Sequence, residues 1–138
     1  MSYYQTLIAV ADDCPVDAAT VPVARGGKAT VATVQYELLA ERPYRMTQED
    51  VLFLSWLRRR PEAGRLAEDE VAALREEFFS RSQACLRASP LPKKYGFGLL
   101  FDGDGRVALC PMESAEYRRI VEGGEGYKVV KAMRSSRR

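Results

Sequence analysis

The spacing of hydrophobic positions changes several times along the chain. From Tyr3 to Ala11 the run YYQTLIAVA is dense in aromatic, aliphatic and β-branched residues and stops at Asp12, Asp13, Cys14 and Pro15, which reads as a strand. Residues 12–29 hold Pro15, Pro22, Gly26 and Gly27 and read as a long irregular loop. From Thr30 the period lengthens. Val31, Val34 and Leu38 recur at i, i+3 and i+7, a helical stripe that ends before Pro43. Thr47, with Asp50 three residues on, has the form of a capping box. It opens a helix over about 48–60, whose C-terminal end suits Arg58, Arg59 and Arg60 and which Pro61 closes. A third helix over about 67–80 sets Ala67, Val71, Leu74 and Phe78 on one face and acids elsewhere.

Beyond Arg81 strand chemistry returns. Cys85 to Ser89 reads as extended into Pro90, and Tyr95–Phe101 and Arg106–Cys110 flank Asp102-Gly103-Asp104-Gly105, a hairpin signal. Ser114 can cap a short helix that stops at Gly123 and Gly124, and Tyr127 to Met133 has strand composition. The expected fold is a single α+β domain over residues 1–138. Its sheet has about four strands including the hairpin, with three consecutive helices after the first strand and a short helix before the last. That is a β-α-β-β-α-β-like plan with a helical insertion in its first crossover.

Composition changes this picture little: 46% hydrophobic and 29% charged residues are those of a chain that folds around one core. No segment approaches the roughly 20 apolar residues that span a bilayer. Leu7 to Ala11 is too short for a signal peptide and lacks a basic flank. Cys14, Cys85 and Cys110 are odd in number and follow no framework spacing, so reduced thiols and a cytoplasmic location are expected. Histidine is absent. Its absence excludes Ser-His-Asp and Cys-His pairs and every metal site built on imidazole. With no CxxC spacing either, neither a metal nor a cofactor is expected.

Candidate chemistry is thin, and each signal has a plain structural alternative. Asp102-Gly103-Asp104-Gly105 has Glu113 at the twelfth position of a calcium loop, but Arg106 and Val107 stand where a ligand and a glycine belong. Gly26-Gly27-Lys28 lacks the Ser/Thr and the earlier glycine of a phosphate loop; with Arg25 it leaves only a helix N-terminus able to hold a small anion. Cys85, Arg87 and Ser89 alternate, so on an extended chain they share a face and Arg87 would activate the Cys85 thiol. The alternative is a buried structural cysteine. Lys93 to Gly98 mixes bases, aromatics and glycines, as single-strand nucleic-acid platforms do, and its glycines admit a ligand or another chain; hairpin strands carry aromatics for packing as well.

Several runs in one order resemble an uncharacterised bacterial family of similar length, domain of unknown function 6157. They are Asp13-Cys14-Pro15, Gly26-Gly27-Lys28, Gln35-Tyr36-Glu37, residues 50–53, residues 85–91, Lys94-Tyr95-Gly96 and residues 128–135. The likeness covers nearly the whole chain and is thinnest around 58–80. It implies one full-length domain and no assigned activity.

These runs direct attention to Lys28, Arg87, Ser89, Lys94, Lys131 and Arg134 as a basic, hydroxyl-lined pocket for a small anionic ligand, with the arginines as bidentate clamps. Two other functions compete with this one: a thiol enzyme or redox sensor on Cys85, with Tyr95 or a carboxylate as base, and nucleic-acid binding through Lys93–Phe97 and the basic C-terminus. The near-neutral net charge of +2, with an acidic body before residue 128, weighs against nucleic acid. Finally, Val51, Leu52, Phe53, Leu54, Trp56 and Leu57 point nearly all round one helix. Either this marks a homodimer anchored by Phe53 and Trp56, or the third helix and the sheet cover it from both sides.

Overall fold

The computed structural model describes residues 3–123 and 125–136. Its elements in chain order are β1 (Thr6–Ala9), α1 (Val31–Glu41), β2 (Met46–Thr47), α2 (Gln48–Leu57), α3 (Glu68–Phe79), α4 (Pro90–Lys94), β3 (Phe97–Phe101), β4 (Arg106–Pro111), α5 (Ala115–Val121) and β5 (Lys128–Lys131). Single 3₁₀ turns fall at Ala63–Arg65 and Leu86–Ala88. One mixed sheet runs β2-β4-β3-β1-β5, antiparallel except where β1 and β5 pair in parallel.

Alternation within the strands sends side chains to two cores. Ile8, Leu99, Phe101 and Val107 meet Val34, Leu38 and Leu39 of α1, Val51 of α2, and Leu86 and Leu91. Leu7, Ala9, Leu100 and Cys110 face the other way, onto Ile120 of α5 with Tyr117 and Tyr127 at its border. Because both faces are covered, β1 and β3 are buried at every residue and read as unbroken hydrophobic runs.

The α+β expectation needs correcting in two places. The sheet has five strands rather than about four, and the helices are interspersed rather than three in succession. The cause is β2. Met46 and Thr47 pair with Val107 and Arg106, and Tyr44 N–H donates to the Val107 carbonyl at 3.0 Å. A two-residue strand carries no periodic pattern, so nothing local marks it. Residues 85–89 do not form a strand either. They form a 3₁₀ turn leading into α4, where Ser89 caps the helix, its Oγ accepting from Leu91 N–H at 3.2 Å, with Pro90 in the first turn. Ser-Pro at a helix start is a legible cap signal.

The local signals held elsewhere. Thr47 and Asp50 cap α2 reciprocally, and Ser114 caps α5. The hairpin turn is fixed by Asp102, whose Oδ1 accepts from the Asp104 and Arg106 amides at 2.9 Å each, while Gly105 takes φ +79°. Helix α5 ends at Val121, before Gly123; Gly124 lies outside the described residues, as do Arg137 and Arg138 of the basic end. Gly98 admits the chain's own α5 rather than a foreign group. A Cβ there would stand 2.9 Å from the Tyr117 ring, which lies across the sheet so that its hydroxyl accepts from Val10 N–H at 2.9 Å.

Candidate functional site

Helical spacing builds one side of a cleft of about 230 Å³. Val31 and Gln35 come from one face of α1, and Leu52, Ser55, Trp56 and Arg59 from one face of α2 and its end. Phe78 of α3 and residues 83–86 and 88–90 complete the lining. The floor is polar although it lies within the apolar core: Gln35, Ser89 and Ser55 are 3%, 4% and 5% exposed. Ser89 Oγ donates to Gln35 Oε1 at 2.6 Å, and Ser55 Oγ donates to the Leu52 carbonyl at 3.1 Å. Gln35 Nε2 has two N–H groups to place. Among the described residues it reaches only Ser55 Oγ, at a long 3.4 Å. No buried side-chain nitrogen or oxygen among the described residues lacks a partner, but the second N–H of this amide is left for an acceptor from the cleft.

The walls are aromatic and the rim carries one charge. Trp56 packs on Phe78 (5.2 Å between centroids) and Phe53 (5.9 Å). Two neighbouring arginines behave differently here. Arg60 stacks on the Trp56 ring at 4.7 Å and pairs with Glu62 at 2.6 Å. Arg59 has no ion pair among the described residues, is exposed, and is the only charged group lining the cleft.

Cys85 also lines this cleft, half-buried, with its Sγ 3.4 Å from the Tyr3 hydroxyl. Burial, reinforced by the Cys85 contact, pushes the Tyr3 phenol up to about 12, and either atom of the Tyr3–Cys85 contact can be the donor. Tyr95 borders a different depression, of about 280 Å³, with Arg25, Thr30, Pro90 and Lys94.

The expected ligand-binding residues are distributed over four places. Ser89 is in the cleft floor and Lys94 borders the second depression. Arg87, Lys131 and Arg134 gather at the end of β5: Arg87 Nε donates to the Lys131 carbonyl at 2.7 Å, and Lys131 Nζ pairs with Asp12. Arg134 lies near enough to favour the charged form of Asp13, whose carboxylate accepts from the Ser135 and Ser136 amides. Lys28 closes a tight turn on Arg25, in which Gly26 and Gly27 take φ +58° and +76°, so these glycines serve the turn.

In the Lys93–Phe97 segment Phe97 is buried against Tyr36 at 5.4 Å. Phe53 is 1% exposed, held by Phe78 at 5.7 Å and by the Arg75 guanidinium at 5.6 Å, while Trp56 is half-buried. Helix α3 therefore covers the Phe53 and Trp56 side of α2. Sequence reasoning missed Gln35, Ser55 and Arg59. The signal for the first two was present, as polar residues at core spacing: each stands four residues after an apolar one, Val31 and Val51.

Among the described residues no cluster of three or more His, Cys, Asp or Glu offers a metal site, and no helix is long and apolar enough to cross a membrane. The molecule is thus an α+β domain with one mixed sheet covered on both faces and a polar-floored cleft between its helices. The chain belongs to the family of unknown function DUF6157, which it matches over residues 1–138. No curated protein and no solved structure matches it.

Proposed function

We propose that this is a binding domain for a small anionic molecule, with the α1–α2–α3 cleft as its site. The observation that carries the reading is Gln35: a buried amide with one long bond to Ser55, lining an aromatic-walled cavity in which Arg59 is the only charge, and has no ion pair, among the described residues. Polar groups are costly to bury, and a ligand acceptor at Gln35 would remove that cost. Arg59 supplies the attraction for the anion. The chain's single tryptophan, Trp56, stands in the wall and reports occupancy. Titrating the protein with a panel of small carboxylates and phosphates should shift its fluorescence saturably, and Arg59→Met should weaken that binding. A panel without effect at millimolar concentration in fluorescence and calorimetry would reject the reading.

Cys85 supports a second reading, thiol chemistry or redox sensing, because its thiol lines the same cleft. Labelling that needs denaturant would mark it as structural. Self-association is supported only by the half-exposed edge of Trp56, with Phe53 beneath it. Light scattering at high micromolar concentration tests it, and a monomer removes it. A cytoplasmic setting suits three unpaired thiols.

A further inference from the structure

The cleft's own hydrogen-bond inventory narrows the ligand class, on the premise that the cleft is the binding site. We infer that it takes an aromatic monocarboxylate with a neutral hydroxyl group at the end remote from the carboxylate, bound hydroxyl inward. The polarity of the site is graded. Among the described residues no charged group lines the floor, and an ionised carboxylate sunk there would face only neutral partners, whereas the exposed Arg59 lets it keep part of its hydration.

The floor, in turn, has both donor and acceptor capacity left. Gln35 Nε2 keeps an N–H, while the Ser55 and Ser89 hydroxyls spend their protons on the Leu52 carbonyl and on Gln35 Oε1 and retain lone pairs. A group that both accepts and donates satisfies this floor; a hydroxyl does so, and an ionised carboxylate or a methyl does not. Between the two ends stand Trp56, Phe78, Leu52 and Leu86, which favour a flat apolar body. The volume of about 230 Å³ accommodates a body of about one ring.

The test uses three probes on the intact chain, read by calorimetry and by Trp56 fluorescence: 4-hydroxyphenylacetate, phenylacetate, and 2-(4-hydroxyphenyl)ethanol. The first should bind, and deleting either the hydroxyl or the carboxylate should weaken it roughly tenfold or more. Arg59→Met should erase the advantage of the carboxylate alone. Gln35→Met should erase the advantage of the hydroxyl alone, and Ser55→Ala serves the same purpose if Gln35→Met does not fold. Phenylacetate binding as tightly as its hydroxylated counterpart, with full dependence on Arg59, overturns this inference and leaves the site in place. Failure of all three probes, together with a silent carboxylate and phosphate panel, overturns both. Binding unaffected by Arg59→Met does the same, since it places the ligand elsewhere.

Discussion

Strands β1 and β3 bury every one of their residues, whereas α3, a helix of 12 residues, buries none. The strands sit between two cores and are held by neighbours on each side. Helix α3 is attached along one edge, by Phe78 and Phe79, by the Arg75–Asp50 ion pair at 3.0 Å, and by Arg75 resting between the Phe53 and Phe79 rings. Its first turn is stabilised locally, with Glu70 accepting from Ala67 N–H at 2.8 Å. Stability is not uniform across a domain, and segments with few buried apolar contacts open first. Helix α3, with no buried residue, is expected to open first, and its Phe78 lines the cleft. The polar floor comes from α1, α2 and the cap of α4, and the wall at Phe78 comes from the loosely held helix.

Two thiols mark the two regions and give the largest predicted contrast. Cys110 lies under the sheet at 0% exposure, and Cys85 lies behind α3. At pH 8 and without denaturant Cys85 should label roughly a thousandfold faster than Cys110, because the former needs only local opening and the latter global unfolding. Comparable rates would break the comparison. Burial also pushes the Cys110 thiol from 9.0 up to about 11. A folded value above the unfolded one favours the protonated native state, so its contribution is complete below pH 9 and lost as pH rises towards 11. Urea midpoints should fall across that window, and less so in Cys110→Ala.

Phe101→Ala, in the centre of the sheet, should cost about 3–5 kcal/mol by urea denaturation. Gly98→Ala should cost about 1–3 kcal/mol, because the new Cβ would meet the Tyr117 ring and, at 3.1 and 3.2 Å, the Cys110 and Ile8 carbonyls. Phe78→Ala should cost only roughly 1 kcal/mol globally, being half-buried, yet hydrogen exchange in 68–79 and labelling of Cys85 should both quicken. Global loss as large as that of Phe101→Ala would show that α3 belongs to the core.

The legible parts of the fold were those decided within a few residues. The Thr47–Asp50 box, the Asp102–Gly105 turn, the Ser114 cap and the helical stripe of Val31, Val34 and Leu38 all appear at or near their expected places. At Ser89 two local signals compete: the alternation of Cys85, Arg87 and Ser89 suits a strand, while Ser89-Pro90 suits a helix start, and the cap of α4 prevails. The cysteine-centred expectation relied on that strand. In the 3₁₀ turn Arg87 hydrogen-bonds to β5, and it is Tyr3 that meets the thiol.

By itself the sequence determined an α+β chain, its caps and turns, and the exclusion of imidazole chemistry, since each of these rests on residue type or on neighbours a few positions apart. The tertiary structure alone decided the fifth strand, the cover that α3 gives α2, and which polar residues meet in the floor of the cleft. Met46 pairs with Val107, and Ser89 meets Gln35 across 54 positions of chain. Such contacts leave no period to read, because they are selected by the packing of whole elements rather than by the order of residues within one.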